Sequence, residues 1–277
     1  MLIAALATAA AAQSATLFLP DVVSTGASEI RAAVHPDGRV VLWGSTNREG
    51  GAGWDVWCTQ RKGRGWRAPV RVAFDTEHNE FDPAFDAEGR YVYFFSNRPG
   101  GLGGDDLYRA EARGRCRFGE AEPLGDAVNT PGNEWAPTPL ADGGLLFATD
   151  GRGGAGRHDL FVSERLDGAL QPARPLAGPV NGPGDDFDAA VVDGGLVFSR
   201  STDVDNDPIG LWFAPARGDG YGAPVALGPE VNVDGGYVLG PSVDPTQPGV
   251  LLFSGQREAP SAGKFDVYAI PLEDALE

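Results

Sequence analysis

This chain of 277 residues contains only two cysteines, three histidines and one methionine, and its 22 Lys and Arg residues are far outnumbered by 39 Asp and Glu. A formal charge of −17 argues against a nucleic-acid partner, because phosphate binding rests on neutralising the backbone with Lys and Arg. An anionic membrane surface is disfavoured for the same reason. His35, His78 and His158 lie far apart and have no metal-ligand spacing. Two cysteines allow at most one disulfide. Whether Cys58 and Cys116 pair depends on a Cα separation that the sequence does not reveal, and Cys58 reads equally well as a packed core residue. Beyond the N-terminus no stretch shows sustained helical periodicity. No Gly-x-Ser-x-Gly elbow, phosphate loop, His-Glu-x-x-His or Ser-x-Asp-x-Gly-x-Thr-Trp box occurs.

Glycine and proline, in contrast, are abundant, at 40 and 22 residues. They fit a chain that turns sharply every eight to twelve residues or so. A unit of about 50 residues recurs five times, the period of a propeller blade made of short strands. One copy runs Asn79-Glu80-Phe81-Asp82-Pro83, Asp86-Ala87-Glu88-Gly89-Arg90, an apolar run Tyr91 to Phe95, Ser96-Asn97-Arg98, a glycine cluster and Asp106-Leu107-Tyr108. The next restates it from Asn133-Glu134-Trp135-Ala136-Pro137 to Asp159-Leu160-Phe161. The repeats fall near residues 28–78, 79–132, 133–184, 185–234 and 235–272. Each predicts four strands, with Gly38, Gly89, Gly143 and Gly194 at hairpin positions that need positive φ.

The fold expected is therefore all-β: a five-bladed β-propeller forming a single domain from residue 14 to residue 277. Ala15 to Val23 resembles the closing strand of a blade without a blade of its own, and the fifth repeat lacks a fourth strand. The N-terminal strand is predicted to complete the last blade, which removes an unpaired edge.

Phe-x-Ser-x-Arg-x-Gly-Gly-x-Gly-Gly-Asp-Asp-Leu-Tyr in the second repeat and His35-Pro36-Asp37-Gly38-Arg39 in the first resemble the WD40-like repeat of TolB-type bacterial propellers. The likeness covers about residues 28–270. It implies a propeller of the exported cell-envelope kind, some members of which are fused to peptidoglycan-binding OmpA-type domains. No such domain is present here, and TolB itself has six blades rather than five. One fold hosts many activities, so the likeness speaks for architecture first.

A motif present in every blade is suspected first of holding blades together. Glu29, Glu80, Glu134 and Asp186 open four of the repeats. As a ring at the channel mouth they would raise one another's pKa and attract a cation or a polyhydroxylated ligand; as clasps they would accept backbone N–H groups of the adjacent blade. The fifth repeat has Gly235, Gly236 and Tyr237 at that place, and this break in symmetry makes Tyr237 a further ligand-binding candidate. Arg48 with Asp55, Arg98 with Asp106, Arg152 with Asp159 and Arg257 with Asp266 are expected to face each other across the glycine hairpins as charge-assisted pairs. Blade 4 has Gly210 for the Asp and a displaced Arg200. There Asp203-Val204-Asp205-Asn206-Asp207 replaces the glycine hairpin, and Asp203, Asp205 and Asp207 are candidate calcium ligands, set against a solvated acidic loop.

Residues 1–13 are apolar and end in small residues, as a secretory signal peptide does, and too short to span a bilayer. The function expected is that of an exported, periplasmic or secreted, non-catalytic propeller that binds or scaffolds. It requires no cofactor apart from the calcium candidate. Its partner is an envelope protein or a glycan, with no membrane insertion and a monomeric state. The alternative is a carbohydrate-active hydrolase that uses channel-mouth carboxylates.

Overall fold

Residues 14–51 and 53–277 are described by a computed structural model of the chain; the expected leader, residues 1–13, lies outside the described residues. The five repeats fold into five antiparallel sheets, each built on four strands that run from the axis to the rim. Blade 1 comprises Ser28–Val34, Val40–Thr46, Trp54–Lys62 and Val70–Arg71. Blade 2 comprises Glu80–Phe85, Tyr91–Ser96, Asp106–Ala112 and Phe118–Pro123, and blade 3 Glu134–Pro139, Leu145–Thr149, Asp159–Ser163 and Arg174–Pro175. Blade 4 uses Asp185–Val192, Gly195–Ser201, Gly210–Arg217 and Val225–Ala226, and blade 5 uses Val238–Val243, Val250–Gly255 and Asp266–Pro271. The first strands of the five blades touch one another in cyclic order and so enclose the axis.

The N-terminal strand Thr16–Leu17 supplies the fourth strand of blade 5, with Thr16 opposite Ala269 and Leu17 opposite Tyr268. Phe18 N–H continues the ladder to the Val267 carbonyl at 2.8 Å. The Ser24 hydroxyl then bonds the same residue's carbonyl at 2.9 Å. Four of the five outer strands are only two residues long; that of blade 2 has six. The hairpin glycines Gly38, Gly89, Gly143 and Gly194 take φ of +68°, +68°, +87° and +80°, as the turn requires.

Each junction between neighbouring blades has an apolar cluster of its own. Blades 1 and 2 meet through Leu42, Val56, Phe74 and Phe94, with Phe74 stacked on Phe94 at 4.3 Å. Phe147 and Leu107 occupy the junction of blades 2 and 3, Phe198 and Leu160 that of blades 3 and 4, Phe253 and Leu211 that of blades 4 and 5, and Trp43 and Val267 the seam where the ring closes. These side chains are almost completely buried. Truncating one such phenylalanine to alanine costs about 3–5 kcal/mol.

Cys58, on the third strand of blade 1, and Cys116, in the hairpin before the outer strand of blade 2, form a disulfide with Cα atoms 5.8 Å apart. The pairing that the sequence left open is therefore made, and it crosses a blade junction. Closing a loop between residues 58 positions apart stabilises by about 4 kcal/mol through the unfolded chain. The Cys58→Ser, Cys116→Ser double variant is expected to lose roughly 10 °C of melting temperature, measured by calorimetry beside the oxidised and reduced wild type; an unchanged midpoint would deny the bond a stabilising role.

Candidate functional site

The repeated acids come first, because their placement decides what remains for chemistry. Glu29, Glu80, Glu134 and Asp186 are each 0% exposed. Their carboxylates turn back onto the segment that delivers the chain from the preceding blade. Glu29 accepts the Thr25 N–H at 3.1 Å and the Thr25 hydroxyl at 2.5 Å, and Glu80 treats Thr76 in the same way at 2.6 and 2.8 Å. Glu134 takes both groups of Thr130 at 2.9 and 2.6 Å, and Asp186 accepts Gly182 N–H at 2.6 Å. Side chain and partner are four residues apart in every case. The neighbouring blade is reached instead by the main chain: the N–H groups of Glu29, Glu134, Asp186 and Val238 donate to the carbonyls of Phe265, Asp105, His158 and Ile209 at 2.7–2.9 Å. The acids are thus internal clasps and do not line an open mouth. Burial pushes the carboxyls of Glu29, Glu134 and Asp186 upward in pKa, against the pull of these hydrogen bonds. Tyr237 lies partly buried beside the junction of blades 3 and 4, joined by a parallel bridge to Ile209.

Among the described residues Arg98 and Asp106, Arg152 and Asp159, and Arg257 and Asp266 do not pair across the glycine hairpins as expected. The aspartates fold the hairpin itself: Asp106 accepts Leu102 and Gly103 N–H at 2.9 and 3.1 Å, Asp266 accepts Ala262 and Gly263 at 2.8 and 3.0 Å, and Asp159 accepts Gly156 at 3.2 Å. Asp55 accepts Gly53 N–H at 3.2 Å. Two of the arginines, Arg48 and Arg98, instead lie over aromatic rings and reach the opening acid. Arg48 covers Trp43 and Trp57 and lies 3.5 Å from Glu29; Arg98 covers Phe94 and Tyr108 and lies 2.9 Å from Glu80. Arg200, displaced in sequence, performs the same task from the strand itself. It covers Phe198 and Trp212 and holds Asp186 at 2.6 Å. In blade 3 the Thr149 hydroxyl takes this place on Glu134 at 2.7 Å, and Arg152 donates to the carbonyls of residues 126–128.

A further clasp escaped the sequence reading. Asn129, Asn181 and Asn232 each accept the N–H and donate to the carbonyl of Leu107, Leu160 and Leu211 respectively, at 2.8–3.1 Å. The recurring Val-Asn pairs, 128–129, 180–181 and 231–232, were its visible trace. Blade 1 has Asp75 in this position. It accepts Val56 N–H at 3.2 Å and Arg71 Nε at 2.5 Å, and burial pushes its pKa up to about 8.

The Asp203–Asp207 loop of blade 4 meets a cation from the hairpin of blade 3. Arg157 bridges Asp203, Asp205 at 3.2 Å and Asp185 at 3.6 Å. Asn206 and Arg157 hold the Asp203 carboxyl below the usual carboxylate range. Asp207 contributes its N–H to the Asp203 carbonyl at 2.8 Å. Among the described residues no group of three or more His, Cys, Asp and Glu side chains is placed to hold a metal ion. Beside this loop His158 stacks on Trp135 at 4.0 Å and bonds Asp185 through Nδ1 at 2.7 Å.

What the clasps leave over is found on the axis. Every first strand carries a β-bulge shortly after its opening position, with one residue at positive φ: Arg31, Asp82, Ala136, Asp188 and Gly240, at +50°, +49°, +51°, +45° and +62°. One backbone position recurs in five blades but carries four different residue types. Only glycine adopts this region without a penalty of order 1 kcal/mol or more. Arg31, 3% exposed, crosses from blade 1 to blade 3, where Nη2 donates to Pro137 O at 3.1 Å and to the Thr138 hydroxyl at 2.7 Å. Its Nη1 lies 4.0 Å from Asp188, and Asp188 accepts Gly240 N–H at 3.0 Å. The hydroxyls of Thr138 and Ser242 donate hydrogen bonds to Ala189 O and Ala32 O, both at 2.6 Å. These bonds tie blades 1, 3, 4 and 5 together around the axis. Asp82, also buried, is raised well above the usual carboxylate range by burial and then by Asp188. The buried axis thus holds one guanidinium and two carboxyls, and burial disfavours the charged form of both acids.

From Arg31 a cavity of about 330 Å³ runs along the axis to the turns that end the first strands, walled by all five blades. It opens on the face opposite the glycine hairpins.

No protein-family model matches the sequence, and no curated protein does. Solved structures do match in fold. The TolB of Acinetobacter baumannii aligns over 88% of this chain with TM-score 0.50 and 11% identity, and this chain spans only 54% of it. A TolB structure from Agrobacterium tumefaciens aligns over 88% of this chain and 83% of its own, with TM-score 0.52 and 12% identity. The GH43_1 enzyme of Xanthomonas citri, complexed with xylose, aligns over 93% and 89%, with TM-score 0.58 and 15% identity. The chain is a five-bladed β-propeller, similar in fold to TolB structures and to GH43 enzymes. Propellers with a hydrolase name share that fold equally, so the axis must be read from its own residues.

Two outcomes follow for the titrating clasps. Asp75 has a folded pKa above its ordinary value near 3.8; the stability it contributes is complete below that value and is lost as pH rises through about 8. Asp75→Asn, which restores the residue of blades 2 to 4, is expected to melt at a temperature that falls less than the wild type's between pH 5 and pH 9. Identical slopes would show that Asp75 is ionised throughout. On the axis, Asp82→Asn is expected to destabilise less than Asp188→Asn, because Asp188 faces Arg31 at 4.0 Å and accepts Gly240 N–H, and its loss strips the guanidinium of its counter-charge at a cost of about 3–5 kcal/mol. Chemical denaturation of both variants checks the split.

Proposed function

We propose that the protein is an exported, non-catalytic propeller that serves as a binding or scaffolding module of the bacterial cell envelope, with an envelope protein or a glycan as partner. The observation that carries this reading is the consumption of the repeated carboxylates by the fold. Four acids that could have formed a reactive ring are sealed inside the blades and hydrogen-bonded there. The Cys58–Cys116 disulfide supports export, since such bonds persist in oxidising compartments. No helix among the described residues is long and apolar enough to cross a membrane. The strongly acidic composition favours partners with basic or uncharged surfaces.

The hydrolase reading draws on one observation, the pair Asp82 and Asp188 on the axis. Glycoside hydrolysis needs two carboxyls that flank the bond to be cleaved, one of them as acid. Here both are at most 5% exposed, neither lines the axial cavity, and Asp188 is bound to Gly240 N–H and faces Arg31.

A panel of xylo-, arabino- and gluco-oligosaccharides incubated with wild type and with Asp82→Asn is expected to show no hydrolysis by either protein. Cleavage by wild type that disappears in Asp82→Asn, at an unchanged melting temperature, would overturn the binding-module reading.

A further inference from the structure

We infer that the axial cavity is itself a ligand site, built for a small uncharged molecule with an apolar body and one oxygen acceptor, the acceptor resting on the Arg31 guanidinium. Three independent features of the cavity lead there.

The walls are the first. Pro83, Ala84, Phe85, Ala189, Pro241 and Val243 present mainly carbon to the space, and the rim is already partly apolar, with Val191 and Val243 exposed. A sugar would meet too few polar partners there to offset the loss of its hydration. The volume, about 330 Å³, admits on the order of ten non-hydrogen atoms, as a water molecule has about 30 Å³ in the liquid.

The second feature is a buried donor without an acceptor. Arg31 lines the cavity and is 97% buried, being 3% exposed, yet its Nη1 has no hydrogen-bond partner. Nη2 is fully engaged with blade 3. A buried N–H of a charged group left unpaired is costly, so an oxygen supplied by a ligand recovers energy that the protein alone forgoes.

Charge is the third. The guanidinium already faces Asp188 at 4.0 Å, and Asp82 is a second buried acid at the matching position of blade 2. A carboxylate ligand would add an uncompensated negative charge beside two acids, and an ammonium would face the guanidinium. A neutral ketone, ester, amide or alcohol oxygen meets neither objection.

The test uses three molecules of one shape: acetophenone, benzoate and benzylamine, each titrated into the full chain at pH 7 and followed by protein-observed NMR and by thermal shift. Acetophenone is expected to bind at millimolar or tighter concentration, at least tenfold more tightly than the other two, with shifts confined to first-strand residues such as Ala84 and Ala189. Ala84→Leu, which fills the cavity from the wall without touching the axis bonds, is expected to abolish that binding while the fold persists. Arg31→Lys is expected to weaken acetophenone if the variant folds; if it does not, Ala84→Leu alone decides. Tightest binding by benzoate or benzylamine would overturn the uncharged class, and binding by none of the three, or acetophenone binding unaffected by Ala84→Leu, would overturn the site. None of these outcomes touches the scaffold reading, which stands or falls by the hydrolysis assay.

Discussion

Closing five sheets into a ring requires that each arriving chain be turned into the next first strand, and in blades 1 to 4 one buried carboxylate at the head of the strand holds that turn. The acid gathers the N–H and hydroxyl of the residue four positions upstream, so the connecting segment is bent before the strand begins. The backbone N–H of Glu29, Glu134 and Asp186 bonds the preceding blade, and an arginine over two aromatic rings faces the acid in blades 1, 2 and 4. Turn, blade contact and charge thereby meet at one point. The interchange in blade 4 illustrates the constraint: the opener shortens to Asp186, the arginine moves onto the facing strand at Arg200, and the two still meet at 2.6 Å.

A ring of this kind leaves a hole, and its treatment gives the molecule its individuality. The bulge that every first strand needs brings one residue per blade to the axis. Because backbone geometry rather than side chain is what the ring demands there, the position is free to vary, and it carries Arg31, Asp82, Ala136, Asp188 and glycine. The arginine braces the axis from side to side and at the same time closes the inner end of the cavity. Structural and recognition roles therefore meet in one guanidinium, with one nitrogen given to each.

The repeat, the number of blades and the N-terminal strand completing blade 5 were legible in the sequence because they rest on periodicity and on turn glycines, which are local. Partners were less legible. Arg98 and Asp106 recur together, yet they face different groups: the aspartate turns inward to gather its own hairpin's N–H groups, which no spacing rule distinguishes from a cross-hairpin pair. The Asn129 clasp was present as a recurring Val-Asn but reads as an ordinary turn until its two bonds to Leu107 are seen. Arg31, Asp82 and Asp188 were overlooked for a more instructive reason. Residues shared by all blades and loops that break the pattern stand out in a sequence, whereas the axial set occupies a shared position with unshared chemistry. Cys58 and Cys116 belong to different repeats, and their 5.8 Å approach depends on the angle between blades.

The outer strands have a bearing on how the molecule lives among others. With two residues each in four blades, they offer a passing chain almost no free ladder to extend, so the rim resists the edge-to-edge pairing through which sheet proteins condense. Blade 2 departs from this with six residues, Phe118–Pro123, and there alone the rim presents a full strand's length to its surroundings. A protein crowded at high concentration would meet its neighbours strand to strand first at that sector, the one pinned to blade 1 by the disulfide.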